Sequence, residues 1–196
     1  MVIPSAPRPL IVALTPALRD EFLGFFEGEA FADNPRWASC YCQFPQEDHR
    51  EVDWEARTGA ENRTLACDRI DAGTMRGYLA LLDGEAVGWC SAGPRVGYRF
   101  FDDDPVADAD ADDVGSVMCF VVAQAHRGQG VARLLLEAAL AGFVARGLSM
   151  AEAYPNPRAT TDAANHFGPM SLYLSAGFAV HSEDPDGWVV LRKALP

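Results

Sequence analysis

Short apolar runs alternate along the chain with amphipathic stretches, and their spacing predicts the elements. Leu10 to Leu14 is an apolar run of strand length. Thr15 and Pro16 follow as N-cap and first helical position and open a helix to about Glu27. A loop through Asn34 and Pro35 leads into Trp37 to Phe44, dense in aromatic and sulfur side chains but with no clean period. A second helix is expected from about Asp53 to Ala72. Tyr78 to Leu82 and Ala86 to Cys90 then flank Asp83-Gly84-Glu85, a hairpin whose Asp-Gly pair supplies the turn. Val117 to Val122 reads as an apolar strand, and helical spacing returns from Val131 to Gly147. Met150 to Tyr154 is a further strand, with a long connection from Pro155 to Pro169 behind it. The helix from Met170 stops at Gly177, a suitable left-handed C′ residue. Phe178 to Val180 and Trp188 to Leu191 read as strands around the turn Asp184 to Gly187. This order predicts the α/β (α+β) class, with residues 1–196 as a single domain.

Composition narrows the function classes. At 196 residues and 49% hydrophobic content, the chain can bury one substantial core. Its 28 acidic and 16 basic residues give a net charge of −12, which disfavours nucleic acid and anionic membranes as partners. Such a surface suits a cationic amine, and equally serves solubility. Five cysteines, an odd number, point to reduced thiols and a cytoplasmic location. Cys40-x-Cys42 is too short for a zinc knuckle and no second pair follows, so pocket-lining or buried thiols are expected, with no metal. Met1 to Pro9 lacks the basic region of a secretory signal, and the longest apolar run, Val117 to Ala123, is far short of a membrane span. The acidic stretch Phe101 to Asp113 invites a calcium reading. It lacks a glycine at the sixth position from Asp108 and has Cys119 at the twelfth, so a solvated loop is expected.

The candidate chemistry lies in Arg127-Gly128-Gln129-Gly130-Val131-Ala132, where a strand pattern passes into a helix pattern. Gly128 and Gly130 remove side chains where a backbone must approach phosphate oxygens, and the free N–H groups opening the next helix point there too. A Walker loop is excluded because Val131-Ala132 replaces its Lys-Ser/Thr pair, and a dinucleotide fingerprint because Arg133 holds the place of its last glycine. The pattern R-x-x-G-x-A directly after Cys119-Phe120-Val121-Val122 resembles the GNAT superfamily of acyl-CoA-dependent N-acyltransferases, whose Q/R-x-x-G-x-G/A motif binds coenzyme A pyrophosphate. Met170 to Phe178 resembles the same family's closing LYxxxGF helix. Gln124 departs from the proline that many members carry there. The order of elements follows the family plan over nearly the whole chain.

The resemblance implies a GNAT fold, a mixed, mostly antiparallel twisted sheet with splayed central strands flanked by helices. Val117 to Val122 and Met150 to Tyr154 would be the splayed pair and receive the pantetheine arm. The cofactor-binding set would be Phe120, Val121, Val122, Arg127, Gly128, Gln129, Gly130, Val131, Ala132 and Ser171, with a backbone N–H around Phe120 to Val122 polarising the thioester. Tyr173 would protonate the leaving thiolate, although a tyrosine before Gly-Phe also fits simple helix packing. Glu152 is the first side-chain candidate for the base, since alternation sets it on one face with Met150 and Tyr154. His166 and bound water are the other candidates. Trp37, Tyr41, Phe44 and His166 would wall the acceptor pocket, with core packing the alternative for the aromatics. Acetyl-CoA is the expected donor and a primary amine of a small molecule or protein the expected acceptor, attacked directly; a homodimer is an admissible state. The rival classes are a noncatalytic acyl-CoA-binding module and a metal-binding protein built on Cys40 and Cys42, for which ligands are wanting.

Overall fold

The computed structural model describes residues 8–101, 111–183 and 187–196. The acidic stretch through residue 110 and the turn at residues 184–186 lie outside them. The regular elements are β1 (Leu10–Ala13), α1 (Arg19–Glu27), α2 (Gly59–Asp71), β2 (Gly77–Leu82), β3 (Glu85–Pro94), β4 (Val114–Val122), α3 (Val131–Ala145), β5 (Met150–Ala153), α4 (Met170–Ser175), β6 (Ala179–Glu183) and β7 (Val189–Ala194). The strands form one seven-stranded sheet in the order β1-β2-β3-β4-β5-β7-β6, with β4 and β5 the parallel neighbours and every other pair antiparallel. The order and the mostly antiparallel mixture agree with the expected fold.

Strand alternation sorts the core into two layers. Leu79, Trp89 and Val121 are lateral neighbours across β2, β3 and β4, and pack with Phe22 and Phe26 of α1 and Ala66 and Ile70 of α2. One residue along each strand, Ala80, Cys90 and Phe120 turn to the other layer, where Leu135, Ala139 and Phe143 supply the apolar stripe of α3. Phe120 and Cys119 therefore look out on opposite sides of the sheet, and this decides what each can touch in the site.

Local chemistry explains where the elements depart from their expected bounds. α2 begins at Gly59, not near Asp53, because Thr58 and Glu61 close a capping box: Glu61 Oε2 accepts from the Thr58 N–H at 2.8 Å and Thr58 Oγ1 accepts from the Glu61 N–H at 3.3 Å. Residues 53–57 form turns instead, with the Ala56 N–H donating to Asp53 Oδ1. Pro16 starts a 3-10 turn that leads into α1, and Thr15 makes no side-chain cap. The β2–β3 turn has the two positive φ values of a primed hairpin, +53° at Asp83 and +92° at Gly84. Tyr41 and Cys42 also have positive φ, 43° and 54°. The segment after them is pinned to α2: Arg69 donates to Gln43 and to Glu47, the latter at 2.9 Å, while Arg57 lies 3.5 Å from Glu47.

Candidate active site

The functional geometry starts where β4 loses a partner. β5 pairs with β4 only from Val114 to Val117, so β4 runs on to Val122 with β3 as its one strand partner. A β-bulge at the same height sets Ser91 opposite Cys119 and Ala92 opposite Val117, with Met118 as the extra residue. The Ala123 N–H donates to Val87 in β3, so alternation turns Phe120 and Val122 toward the opened side. Both backbone groups there have partners. The Phe120 N–H donates to the His166 carbonyl at 2.6 Å, and the Val122 carbonyl accepts from Arg127 Nε at 2.9 Å.

The loop beyond β4 takes the backbone form of the expected anion cradle. Gly128 and Gly130 have φ of +71° and +83°, left-handed values that favour glycine, and Gly130 is the N-cap of α3. The first helical bond runs from the Leu134 N–H to the Gly130 carbonyl, which leaves the amides of residues 131–133 without intrahelical partners. They stand at the positive end of a 15-residue helix, directly after the backbone of residues 128–130. The Arg127 side chain is turned elsewhere. Its guanidinium grips Asp33 at 2.5 and 3.0 Å and Asp162 at 3.0 Å, holding the Asp33 carboxyl below its usual range. Arg127 thus clasps the N-terminal half to the long connection after β5, and any phosphate contact falls to the backbone.

From Arg127 a cleft of about 970 Å³ runs along Val122 to Met118 and on to an aromatic end. Trp37, Phe44 and His166 line it, and Trp37 stands edge-on to His166 with centroids 5.0 Å apart. Phe44 belongs to a wider aromatic group with His49, Trp54 and Phe100.

The comparisons decide what this arrangement is. The model of the acetyltransferase (GNAT) family matches residues 31–168, more than half of the chain. The chain belongs to the GNAT acetyltransferase family. A comparison with curated protein sequences finds no match. Among solved structures, the GNAT domain of S. lividans PAT is 19% identical with a TM-score of 0.60, over 94% of this chain and 89% of that one. A GCN5-related N-acetyltransferase from Kribbella flavida is 21% identical, TM-score 0.57, over 95% and 97%. A ribosomal-protein-alanine N-acetyltransferase from Brucella melitensis is 19% identical, TM-score 0.55, over 95% and 99%. At these identities the likeness is one of fold. Family and fold together make the protein an acyl-CoA-dependent acetyltransferase.

Within the GNAT frame, several expected residues take other places. Glu152 is buried, and Arg95 Nε at 3.3 Å and Arg192 Nε at 2.6 Å hold its two oxygens while Tyr154 donates its hydroxyl to it. It is not on the cleft lining, and a carboxylate so neutralised is a strut between strands, not a base. Tyr41 is likewise no pocket wall: its ring stacks on Phe26 and its hydroxyl donates to Glu27 at 3.3 Å. Val131 presents its amide to the cradle but its side chain to the core, and Ser171 is exposed on α4 away from the cleft. Tyr173 is fully buried beneath the cleft floor, its hydroxyl donating to the Phe167 carbonyl, and burial pushes its pKa well up. His166 sits on the lining with its pKa lowered by burial. Its Nδ1 lies 3.2 Å from the Ala163 carbonyl, which only accepts, so Nδ1 carries the proton and Nε2 keeps a lone pair. Sequence reading did not find Cys119, Trp54, Phe100 and Phe167 as cleft residues. The aromatic density of their segments was a usable signal, but their convergence from distant stretches was not.

Proposed function

We propose that the protein transfers the acetyl group of acetyl-CoA to a primary amine by direct attack. The observation that carries this reading is the continuity of three features: the free-amide cradle of residues 128–133, the half-unpaired edge of β4, and the aromatic cleft beyond it. The pyrophosphate sits on the cradle and pantetheine follows β4, which delivers the thioester to Phe120. The Phe120 N–H, released from the His166 carbonyl, then polarises the acetyl carbonyl. The amine enters between Trp37 and Phe44 and attacks; the new C–N bond forms, the C–S bond breaks, and Tyr173 gives its proton to the thiolate. With Glu152 paired to two arginines, His166 Nε2 or cleft water takes the amine proton, and the lowered pKa keeps His166 neutral for that task. The acidic surface favours a cationic acceptor, whether a small molecule or a protein amine.

Gly130→Asp tests the cradle, because it sets a negative charge at the helix N-cap and an L-residue at φ +83°. Acetyl-CoA affinity measured by calorimetry is expected to fall more than tenfold, over ~1.4 kcal/mol. Unchanged affinity in a folded variant rejects the site.

A further inference from the structure

β3 outruns its outer neighbour. β2 pairs with it only as far as Gly77 opposite Ser91, so Ala92 to Pro94 have β4 as their one strand partner. At this step lies a second cavity, of about 220 Å³, lined by Gln46, Thr74, Arg76, Gly93, Val96 and Tyr98. None of these six lines the acetyltransferase cleft. Gly93 makes room for Arg76: a Cβ there would stand 3.2 Å from the Arg76 Cβ, 3.3 Å from its Cδ and 3.5 Å from the Tyr98 hydroxyl. The arginine stem therefore lies over the bare backbone of β3. Two donors at this cavity have no acceptor. Gln46 is only 6% exposed, and its Nε2 is buried without a hydrogen-bond partner, a costly state that is rare in folded proteins. Arg76 is exposed, and among the described residues it has neither a salt-bridge nor a hydrogen-bond partner. No acidic side chain of the described residues lines the cavity, although the chain carries 28 acidic residues against 16 basic. The carboxylate nearest in sequence, Glu47, is engaged by Arg69 at 2.9 Å and Arg57 at 3.5 Å. The Thr74 hydroxyl donates to the Arg69 carbonyl at 3.2 Å, so it leaves the two donors unanswered.

We infer that this cavity is a second binding site, outside the acetyltransferase cleft, for a small organic carboxylate with a short apolar body. A guanidinium and an amide N–H together match the two coplanar oxygens of a carboxylate, each of which only accepts. One cation balances one negative charge, which favours a monoanion over a phosphate dianion. Val96 and the uncovered backbone at Gly93 give the apolar body its contact. The site is joined to the cleft by one turn of chain. Phe44 and Gln46 belong to the same 3-10 turn, and Phe44 lines the cleft while Gln46 lines the cavity. A carboxylate held on Gln46 would thus brace the turn that carries one aromatic wall of the cleft.

The test uses the full chain, isotopically labelled and free of acetyl-CoA, so its outcome does not depend on the transfer reading. Butyrate is titrated at fixed ionic strength and followed by NMR. Expected are saturable shifts of the Gln46 side-chain amide pair and the Gly97 backbone amide, with a Kd on the order of 1 mM. Butyramide, of the same shape without the charge, is expected to produce none. Arg76→Gln keeps a polar surface residue and is expected to weaken butyrate at least ~10-fold. Gln46→Leu deletes the orphan donor and is expected to lose butyrate binding while its melting temperature holds or rises, because nothing within the chain was paired with that N–H. Inorganic phosphate binding more tightly than butyrate, equal shifts with butyramide, or wild-type affinity in Arg76→Gln would overturn the assignment. Arg76→Gln, at an exposed position, decides the question even if Gln46→Leu fails to fold.

Discussion

At the residue scale, the two groups on which the proposed chemistry relies are both held by one short stretch of chain. Tyr173 and the Phe120 amide donate to consecutive carbonyls, Phe167 and His166. Tyr173→Phe keeps the ring against Phe120 and Phe178 and removes only the proton. It is expected to lower kcat by ~10²-fold in steady-state kinetics while acetyl-CoA Kd, by calorimetry, stays within about twofold. A lowered melting temperature with kcat intact would assign the hydroxyl to packing. The position of Tyr173 in a closing-helix motif was legible in the sequence; its bond to Phe167 was not, because the partner lies in a connection with no regular period. Glu152 illustrates the reverse error. Alternation places it correctly on its strand, but alternation carries no information about arginines contributed by β3's end and by β7.

At the element scale, strands and the long helix were legible because each is a run of apolar positions with a clear period. α3 covers the expected stretch, and β2 and β3 meet at the Asp-Gly turn. The segment from Pro35 to Gln46 was opaque for a physical reason: its shape comes from 3-10 turns, left-handed residues and buried pairing with Arg69, all of which depend on α2. Glu152 does comparable work between elements, since Arg95 at the end of β3 and Arg192 in β7 meet on it in β5. Glu152→Ala takes the carboxylate from between two largely buried guanidinium groups and is expected to cost about 3–5 kcal/mol in urea unfolding. Glu152→Gln should cost less, and an unchanged midpoint in Glu152→Ala would remove the strut from the account. Loss of stability without a shifted pH–rate profile is the pattern that separates a strut from a base.

At the scale of the whole molecule, the cleft joins both halves of the chain, and Arg127 ties them at its mouth through Asp33 and Asp162. The connection after β5 closes over the split in the sheet, and His166 anchors it against Trp37. Because burial lowers the His166 pKa, the folded seat holds fewer protons than the unfolded chain just below the ordinary histidine value. Its contribution is therefore present above about pH 6.5 and is lost as pH falls through that region. Hydrogen exchange at the Phe120 amide, corrected for intrinsic rate, should show protection declining from about pH 7 to about pH 5.5, and a flat profile would reject the link. The two carbonyls on that connection also act, in effect, as a built-in competitive ligand. On the proposed mechanism they occupy in advance the donors that the thioester carbonyl and the departing sulfur would claim, so part of the donor's binding energy would go into evicting them. The nucleotide end, proposed to meet only the open cradle, would escape that competition. An adenine nucleotide fragment and intact acetyl-CoA are thus expected to differ less in affinity than their sizes imply, and on the proposed mechanism the acyl group itself becomes the key that opens the chemistry.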